Sequence, residues 1–310
     1  MSENVPPSPP ADAWTRQAAR VAAQHWPPAT LYVVATPIGN LGDLGLRAWH
    51  ALARADVVAA EDTRATRALF DAWGLSTPLM PAHRHNEAAA AQAIVGRLAT
   101  GERVALVSDA GAPAVSDPGA RIVRAVREAG FGVVPVPGPS AVIAALMGSG
   151  ATSDENPAFA FAGFPPSRGA ARQRWLRQWC ALPAPVLLFE APHRLAATLA
   201  DLESVCGAQR VLTVARELTK RFEEIATLAL GEARAWLAAQ PQRAQGEFVL
   251  IVHAAGGDAG EQGAEVDADA LLDALLETLS VRDAARVAAR ATGQARDALY
   301  ARALARKARA

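Results

Sequence analysis

The sequence predicts an α/β protein with two unlike α/β domains, a cleft between them, and a helical appendage after the second domain. Its 310 residues exceed the ~100 to 150 residues of a typical domain, which favours two domains. Hydrophobic residues make up 51% and charged residues 20%, proportions that exclude a disordered or fibrous chain. Short apolar runs alternate with helical patterns of roughly ten or more residues, which is typical of a mainly parallel sheet.

Residues 1–29 are rich in Pro and Ala, and we expect them to form a poorly ordered extension. A short helical pattern covers residues 13–24 within it. No secretory signal is recognisable near the start, and no apolar run reaches the ~20 residues that cross a bilayer. The expected location is therefore cytoplasmic.

The first α/β domain is expected over residues 30–137. Its first strand, residues 31–34, precedes a Gly-containing loop and a helical pattern that runs to Leu52. Another helix is predicted near residues 86–98. The remaining strands are predicted at residues 57–60, 78–81, 104–107 and 133–136. This alternation predicts a mainly parallel sheet.

The second α/β domain is expected over residues 138–254, after the break Pro137-Gly138-Pro139. Apolar runs predict strands near residues 158–161, 186–189 and 211–215. Two further runs, residues 223–229 and 247–252, flank one short helical pattern at residues 231–237. That spacing permits antiparallel pairing, so we expect a mixed sheet.

The C-terminal part of the chain has an uneven charge. Residues 256–281 contain seven acids and no bases, whereas residues 282–310 contain eight bases and two acids. We expect an acidic linker over residues 255–266 and a helical region over residues 267–310. Its helices are predicted at residues 271–279, 281–289 and 294–303. The spacing suits a helix-turn-helix, although short Ala-rich helices equally often form a structural cap.

Two Gly-rich loops follow predicted strands, at residues 36–41 and 108–119. Glycine lets the backbone approach a ligand, and loops after parallel strands are where such folds bind small molecules. Neither loop matches the phosphate-binding motif of ATPases or the dinucleotide fingerprint of dehydrogenases. Each loop taken alone also fits a plain turn.

Cysteine and histidine give no metal site in the sequence. Cys180 and Cys206 lack C-x-x-C spacing, and we expect both thiols to be buried and inert. His83 and His85 have no third ligand at a suitable spacing. We therefore expect no metal.

Eight sequence blocks carry a resemblance to a known family. They are residues 31–41, 60–64, 85–87, 106–111, 135–141, 189–194, 215–220 and 246–252. Among them are Ser108-Asp109-Ala110-Gly111 and Glu190-Ala191-Pro192-His193-Arg194. In these blocks the chain resembles the ribosomal small-subunit methyltransferase I family of the tetrapyrrole methylase superfamily. Ala112 departs from the pattern, since the family usually has Thr there.

The resemblance implies a fold of the tetrapyrrole methylase type, with S-adenosyl-L-methionine bound in the cleft between the two α/β domains. It also implies a homodimer that acts on 16S rRNA or the small ribosomal subunit, by 2′-O-methylation of a decoding-centre cytidine. Two alternatives stay open, because a fold does not define a function. One is a tetrapyrrole (precorrin-type) C-methyltransferase, and the other is a non-catalytic RNA-binding assembly factor.

The same resemblance implies ten residues around the cofactor: Ile38, Gly39, Ser108, Asp109, Ala110, Val115, Ser140, Ala141, Glu247 and Phe248. Polar clusters after the strands supply candidate RNA contacts: Arg64, Arg67, Arg84, His85, His193, Arg194 and Arg216. Several of these positions equally fit helix caps or a buried Glu–Arg pair.

The candidate catalytic residues are Lys220, Glu190, Glu217 and Glu87. Lys220 and Lys307 are the only lysines of the chain, so the Lys-Asp-Lys-Glu tetrad of other 2′-O-methyltransferases is disfavoured. Lys220 and Glu217, with Arg216, are expected to orient ribose and phosphate. Glu190 or Glu87 is expected to accept the proton from the hydroxyl.

Overall fold

The computed structural model describes residues 11–255, 268–276, 279–292 and 294–307. The chain divides into two compact units, of which the first ends at Ala255 and the second begins at Gly256. The first unit contains two five-stranded sheets, and the second contains helices. The expected linker over residues 255–266 lies outside the described residues except for Ala255.

The segment before the first strand is folded onto the first sheet. Helix α1 covers Ala11–Ala22, and Trp26 is buried against Tyr32, with 5.6 Å between the ring centroids. The Trp26 indole N–H donates to the Val21 carbonyl at 3.2 Å, and the Arg54 guanidinium donates to the Ala22 carbonyl at 2.8 Å. The prediction of a poorly ordered extension is therefore wrong for residues 11–29, because Trp26 packs into the core of the first sheet. Residues 1–10 lie outside the described residues.

The first sheet is entirely parallel and has the strand order β3-β2-β4-β1-β5. Its strands are β1 (Thr30–Val34), β2 (Val57–Ala60), β3 (Leu79–Pro81), β4 (Arg103–Val107) and β5 (Gly132–Val136). Its helices are α2 (Leu46–Arg54), α3 (Thr63–Trp73), α4 (Glu87–Ala99) and α5 (Ala120–Glu128). Apolar residues cover both faces of this sheet, as the near-continuous apolar strands require.

The second sheet is mixed, as predicted, and has the strand order β6-β7-β10-β8-β9. Its strands are β6 (Ala160–Gly163), β7 (Val186–Glu190), β8 (Val211–Arg216), β9 (Glu224–Ala229) and β10 (Phe248–Val252). Strand β10 runs antiparallel to both β7 and β8, and β9 pairs with β8. The last two strands are thus not partners of each other, contrary to the pairing that their spacing suggested.

Four helices cover the two faces of the second sheet. They are α6 (Ala141–Ser149), α7 (Gly169–Cys180), α8 (Pro192–Cys206) and α9 (Leu230–Ala238). Helix α6 packs against one face through Val142 and Ala145, in a cluster that also includes Ile38 from the loop after β1. Helices α7, α8 and α9 cover the other face. Within the described residues, no helix combines the length and hydrophobicity needed to cross a membrane.

Three backbone features bring the loops of this unit together. Thr36 and Gly111 exchange backbone hydrogen bonds of 2.9 and 3.0 Å, which ties the loop after β1 to the loop after β4. In the second sheet, Phe248 on β10 is paired with Glu190 on β7 and with Arg216 on β8. The chain segments that contain most of the candidate residues therefore lie at the ends of interior strands.

The second unit consists of α10 (Ala268–Leu276), α11 (Val281–Thr292) and α12 (Arg296–Lys307). Its small core contains Leu272, Ala288 and Leu299. Arg302 and Arg306 on α12 form ion pairs of 3.1 and 3.0 Å with Asp269 on α10. Part of the basic charge predicted for this region is therefore used to hold the helices together.

Candidate active site

A cavity of about 360 Å³ is lined by loops of the first sheet and strand ends of the second sheet. This volume lies within the ~300 to 1,000 Å³ range of small-molecule sites. Its lining residues are Ile38, Ala110, Gly111, Ala112, Val115, Asp117, Ser140, Ala141, Val142, Phe164, Phe189, Glu190, Ala191, Pro192, Ala215, Leu218, Glu247, Phe248 and Val249. Most of them are apolar, and the polar members are few.

Seven of the ten residues predicted around a cofactor line this cavity: Ile38, Ala110, Val115, Ser140, Ala141, Glu247 and Phe248. Gly39, Ser108 and Asp109 do not line it. Ser108 is buried beneath the loop, where its backbone carbonyl accepts a hydrogen bond from the Thr36 hydroxyl at 3.3 Å. Asp109 accepts a hydrogen bond from the backbone N–H of Asp62 at 2.8 Å. Through these hydrogen bonds the two residues hold the loop after β4 in place without lining the cavity.

Aromatic rings form a part of the wall that the sequence analysis missed. Phe164 and Phe189 meet with 5.4 Å between their ring centroids, and Phe161 packs on Phe189 at 4.8 Å. Phe164 and Phe189 line the cavity, and Phe164 is exposed. In the sequence, the only sign of this wall is the pair Phe161 and Phe164 before Pro165. Such a pair also occurs at the end of an ordinary strand.

Gly39 makes room for the side chain of Lys220. A Cβ atom at Gly39 would lie 2.4 Å from Cγ of Lys220 and 2.9 Å from its Cε. Since such distances do not occur between carbon atoms of neighbouring side chains, any other residue at this position would displace the lysine. Gly39 therefore has a packing role next to the cavity-lining Ile38, and its role at a cofactor stays a prediction.

Two carboxylates hold the Lys220 ammonium group. Its Nζ donates to Glu217 Oε1 at 2.9 Å and to Glu247 Oε2 at 2.7 Å. Burial lowers the pKa of Lys220, but the hydrogen bonds and charges of the two acids outweigh it, so that the pKa is raised. Burial raises the pKa of Glu217, but its partners bring it below the usual value. Lys220 is therefore protonated and Glu217 ionised at neutral pH, so that Lys220 is a cation rather than a base.

The backbone around Glu217 is held in an uncommon conformation. Glu217 has a φ of 51° and Thr219 a φ of 66°, values that cost energy for residues with a side chain. The Glu217 N–H donates to the Glu247 carbonyl, and the Glu247 N–H donates to Glu217 Oε1, both at 3.0 Å. At Gly246 a Cβ atom would lie 2.6 Å from the Glu217 carboxyl carbon. The turn thus fixes the position of Lys220.

Glu190 is buried at the cavity wall, and its carboxylate is already satisfied. Oε1 accepts from the Ala191 N–H at 2.8 Å and lies 3.2 Å from Arg194 Nε. Oε2 accepts from the Thr198 hydroxyl. These partners belong to the start of α8, where the helix dipole favours a negative charge. Because both carboxylate oxygens have partners, the candidate role of proton acceptor does not fit these surroundings.

Glu87 caps a helix and does not line the cavity. Its Oε1 accepts from the backbone N–H groups of Gly119 at 2.9 Å and Arg121 at 3.2 Å. These are unpaired donors at the start of α5 (Ala120–Glu128). Glu87 is therefore a structural residue in this fold, contrary to the prediction of a proton acceptor, because the sequence does not show which helix it reaches.

Asp117 is a cavity-lining carboxylate that the sequence analysis did not select. Burial raises the pKa of Asp117; the hydrogen bond from Ser108 lowers it, and the charge of Asp109 raises it again. Burial also raises the pKa of Glu61, and the charges of Asp109 and Asp117 raise it further. Of these carboxylates, Asp117 has both a raised proton affinity and access to the cavity. This combination suits a proton acceptor.

The candidate RNA contacts divide into exposed and buried groups. Arg67, Arg84, His85 and His193 are exposed. Arg64 is also exposed, with 91% of its side chain accessible, and pairs with Asp62, the N-terminal cap of α3. These five residues stay candidates for contact with a large polar ligand.

Two arginines of the predicted RNA-contacting set have structural partners instead. Arg216 is buried, and its guanidinium donates to the carbonyls of Gln245 at 2.7 Å and Phe222 at 3.1 Å. Arg194 lies beside Glu190 and donates to the Pro165 carbonyl. The prediction that Arg216 faces RNA is wrong in this structure, since its charge is used inside the turn. Arg194 is largely used in the same way.

Residues 30–234 match the family model described as Tetrapyrrole (Corrin/Porphyrin) Methylases. Residues 262–307 match the model described as RsmI C-terminal HTH domain. The first match spans both sheets up to α9, and the second covers the helical unit.

Two bacterial proteins with similar sequences have the same name. A protein of Xylella fastidiosa (strain Temecula1) named ribosomal RNA small subunit methyltransferase I is 48% identical over 228 residues, 74% of this chain and 82% of that protein. A protein of Neisseria meningitidis (serogroup A) with the same name is 47% identical over 226 residues, 73% of this chain and 76% of that protein. Both alignments cover more than two thirds of each chain.

A solved structure shows the same fold at low identity. The uroporphyrin-III C-methyltransferase of Thermus thermophilus, complexed with S-adenosyl homocysteine, superposes with a TM-score of 0.51 at 17% identity. The superposition covers 72% of this chain and 97% of that one. At this identity the likeness establishes the fold only.

We predict that Gly39→Ala lowers the free energy of unfolding by about 1 to 3 kcal/mol, because the added methyl group overlaps the methylene groups of Lys220. The matched control is Gly96→Ala on α4, where the new methyl group meets open space. The control should be neutral or stabilise by about 0.5 to 1 kcal/mol. Urea titrations of both variants measure the difference, and Lys220→Ala should relieve the Gly39→Ala cost in the double variant. Equal effects at the two glycines would contradict the packing role.

Proposed function

Because the chain belongs to the tetrapyrrole methylase family, in the group of ribosomal RNA small subunit methyltransferases I, we propose that it methylates the 2′-oxygen of a decoding-centre cytidine in 16S rRNA. The methyl donor in this proposal is S-adenosyl-L-methionine. The observation that carries it is the 48% identity to a relative of that name over 82% of the relative's length. The chain is accordingly a methyltransferase, and the specific substrate is the proposed part.

The chemistry of the cavity fits the methyl donor. Ile38, Phe189 and Val249 provide apolar walls that suit an adenine ring. The loop after β4 lines the cavity with the small residues Ala110 and Ala112, which leave space for a ligand, whereas the backbone groups of Gly111 are already bonded to Thr36. When bound there, the donor supplies an electrophilic methyl group on a sulfonium ion.

An RNA substrate is supported by the names of the relatives and by exposed cations. Arg64, Arg67 and Arg84 are exposed in the first unit, and the exposed His85, next to Arg84, and His193, at the start of α8, add hydrogen-bonding groups. The net charge of the chain is zero, so binding of a polyanion would depend on such local groups rather than on the overall charge.

A homodimer is part of the proposal, because the family resemblance implies one. The apolar side chains of Ile143 and Met147 on α6 and of Phe222 after β8 are exposed. Burial of such side chains in a second copy would stabilise a dimer. A measurement of mass in solution tests this part.

Transfer of a methyl group to a ribose hydroxyl needs alignment and removal of a proton. Alignment supplies up to ~7 to 11 kcal/mol, and a general base adds ~10² to 10⁴-fold. We propose Asp117 as the base, in place of Glu87 and Glu190, whose carboxylates are occupied by backbone N–H groups. Lys220 is a positioning residue: held by Glu217 and Glu247, its positive charge attracts a phosphate or ribose oxygen.

Methyl transfer to small ribosomal subunits tests the function directly. We predict that the purified protein, given S-adenosylmethionine with a labelled methyl group and subunits that lack the modification, forms 2′-O-methylcytidine. Nucleosides from the digested RNA are separated and identified by mass spectrometry. Label on a base, or on a tetrapyrrole supplied as an alternative acceptor, would contradict the proposal. Binding of RNA without transfer would favour an assembly factor.

We predict that Asp117→Asn lowers kcat by at least ~10²-fold and leaves the affinity for S-adenosylmethionine within about threefold. Only the ionised carboxylate accepts a proton. Wild-type activity should therefore rise with pH through the raised pKa of Asp117, and this rise should be absent in the variant. The control is Asp71→Asn, an exposed position on α3. Loss of cofactor affinity with unchanged kcat would reassign Asp117 to cofactor binding.

We predict that the exposed cations of the helical unit contact phosphate and that its ion-paired cations do not. Arg282→Ala combined with Lys307→Ala should reduce the slope of log affinity against log salt by about one unit per lost contact. Arg306→Ala is the comparison, because Arg306 is paired with Asp269 and Asp273; it should mainly lower thermal stability. RNA binding at several salt concentrations and thermal unfolding separate the two effects. An unchanged slope in the double variant would leave this unit with a packing role.

A further inference from the structure

The two cysteines of the chain lie side by side. Cys180 is the last residue of α7 and Cys206 the last residue of α8, and both residues line the same small cavity. Both are free thiols; Cys180 is buried, whereas Cys206 is only partly so. The prediction of burial is therefore confirmed for Cys180 and wrong for Cys206, while the prediction that both thiols are inert stays a prediction. Packing of α7 against α8 brings them together without any short sequence spacing.

A small cavity opens beside this thiol pair. Its volume is about 210 Å³, and Arg177, Ala181, Val205 and Arg210 line it together with the two thiols. Arg210 Nη2 donates to the Cys180 carbonyl at 2.8 Å. Its Nε and Nη1 are buried and donate to no acceptor in the structure. An uncompensated guanidinium next to a thiol favours an anion at that place.

Electrostatics favour the thiolate at Cys206. The hydrogen bond from Cys180 lowers the pKa of Cys206, burial opposes it, and the charge of Arg210 lowers it further. The same hydrogen bond raises the pKa of Cys180. Both residues sit at the negative ends of helix dipoles, which disfavours a thiolate. The Arg210 guanidinium therefore has to offset the dipoles.

We propose that Cys206 and Cys180 form a reversible redox site that reacts with a hydroperoxide, with Cys206 as the attacking thiolate and Cys180 as the resolving thiol. The Cys206 sulfur attacks the terminal hydroxyl oxygen of the peroxide, the O–O bond breaks, and the alkoxide, or hydroxide in the case of hydrogen peroxide, leaves and takes up a proton to become an alcohol or water. Cys206 is then a sulfenic acid. The Cys180 sulfur displaces its hydroxyl group, which leaves as water with the Cys180 proton, and a disulfide forms. Two electrons have passed from the thiols to the peroxide, and an added dithiol returns them.

This site is separate from the methyltransferase cavity. Ala191 and Pro192, at the start of α8, line that cavity, whereas Cys206 ends the same helix. No residue lines both cavities. The redox proposal therefore does not depend on the proposed substrate, and its test needs no RNA.

Treatment of the reduced full-length protein with a small excess of hydrogen peroxide tests the proposal. The expected product is a single chain that has lost two hydrogen atoms, is monomeric on a denaturing gel without reductant, and resists alkylation until dithiothreitol is added. In Cys180→Ser, dimedone should trap a sulfenic acid at Cys206. In Cys206→Ser, Cys180 should give no adduct under the same conditions. Thiols that stay open to alkylation, disulfides between chains, or an adduct at Cys180 instead would each overturn the proposal.

Arg210→Met tests the source of the reactivity. If the guanidinium stabilises the thiolate, alkylation of Cys206 at neutral pH should slow by about tenfold for each unit by which the thiol pKa rises. Arg174→Met on α7 is the matched control, since Arg174 is exposed and lies outside the small cavity. Should Arg210→Met fail to fold, the pH dependence of alkylation in Cys180→Ser and wild type decides: an alkylation pKa at or above that of an ordinary thiol contradicts the proposal. Equal rates in the two arginine variants also contradict it.

Discussion

The approach of the Lys220 side chain to Gly39 is the contact on which the candidate active site depends. The methylene groups of Lys220 cross the loop after β1, where only a glycine leaves space, and the ammonium group ends between Glu217 and Glu247. One side chain thereby connects a loop of the first sheet with two segments of the second. Its charge is retained because both acids raise its proton affinity. Ile38, next to Gly39, and Glu247, a partner of Lys220, line the cavity beside this contact.

Acidic residues of the first unit have different tasks because their partners differ. Glu87 and Glu190 accept backbone N–H groups at the starts of α5 and α8, so they stabilise helices. Glu217 and Glu247 neutralise Lys220. Asp117 lies partly buried at the cavity. Burial and the negative charge of Asp109 raise its pKa, although the hydrogen bond from Ser108 lowers it. The same chemical group is thus a cap, a counter-ion or a candidate base.

Some arginines likewise hold elements of the fold together, whereas others extend into solvent. Arg216 donates to the backbone carbonyls of Phe222, before β9, and Gln245, before β10, and Arg302 and Arg306 connect α12 with α10. Arg64 and Arg84 extend into solvent. A count of basic residues therefore overstates the surface available to a polyanion. Ion pairs within the helical unit stabilise its short helices, whose core of mostly Ala side chains is small.

The sequence alone determined the alternation of strands and helices, the mixed second sheet and most of the loops around the cavity. Those features depend on local patterns: apolar runs for buried strands, and glycine with proline where loops approach a ligand. Only the tertiary structure decided the roles of Glu87, Glu190, Asp117 and Lys220, and the pairing of Cys180 with Cys206. A side chain acquires such a role from partners that are far away in the chain, such as Gly119 for Glu87. The order of apolar and polar residues along the chain specifies which strands and helices form. The charge and reactivity of each side chain depend on its burial and on its hydrogen bonds to other elements.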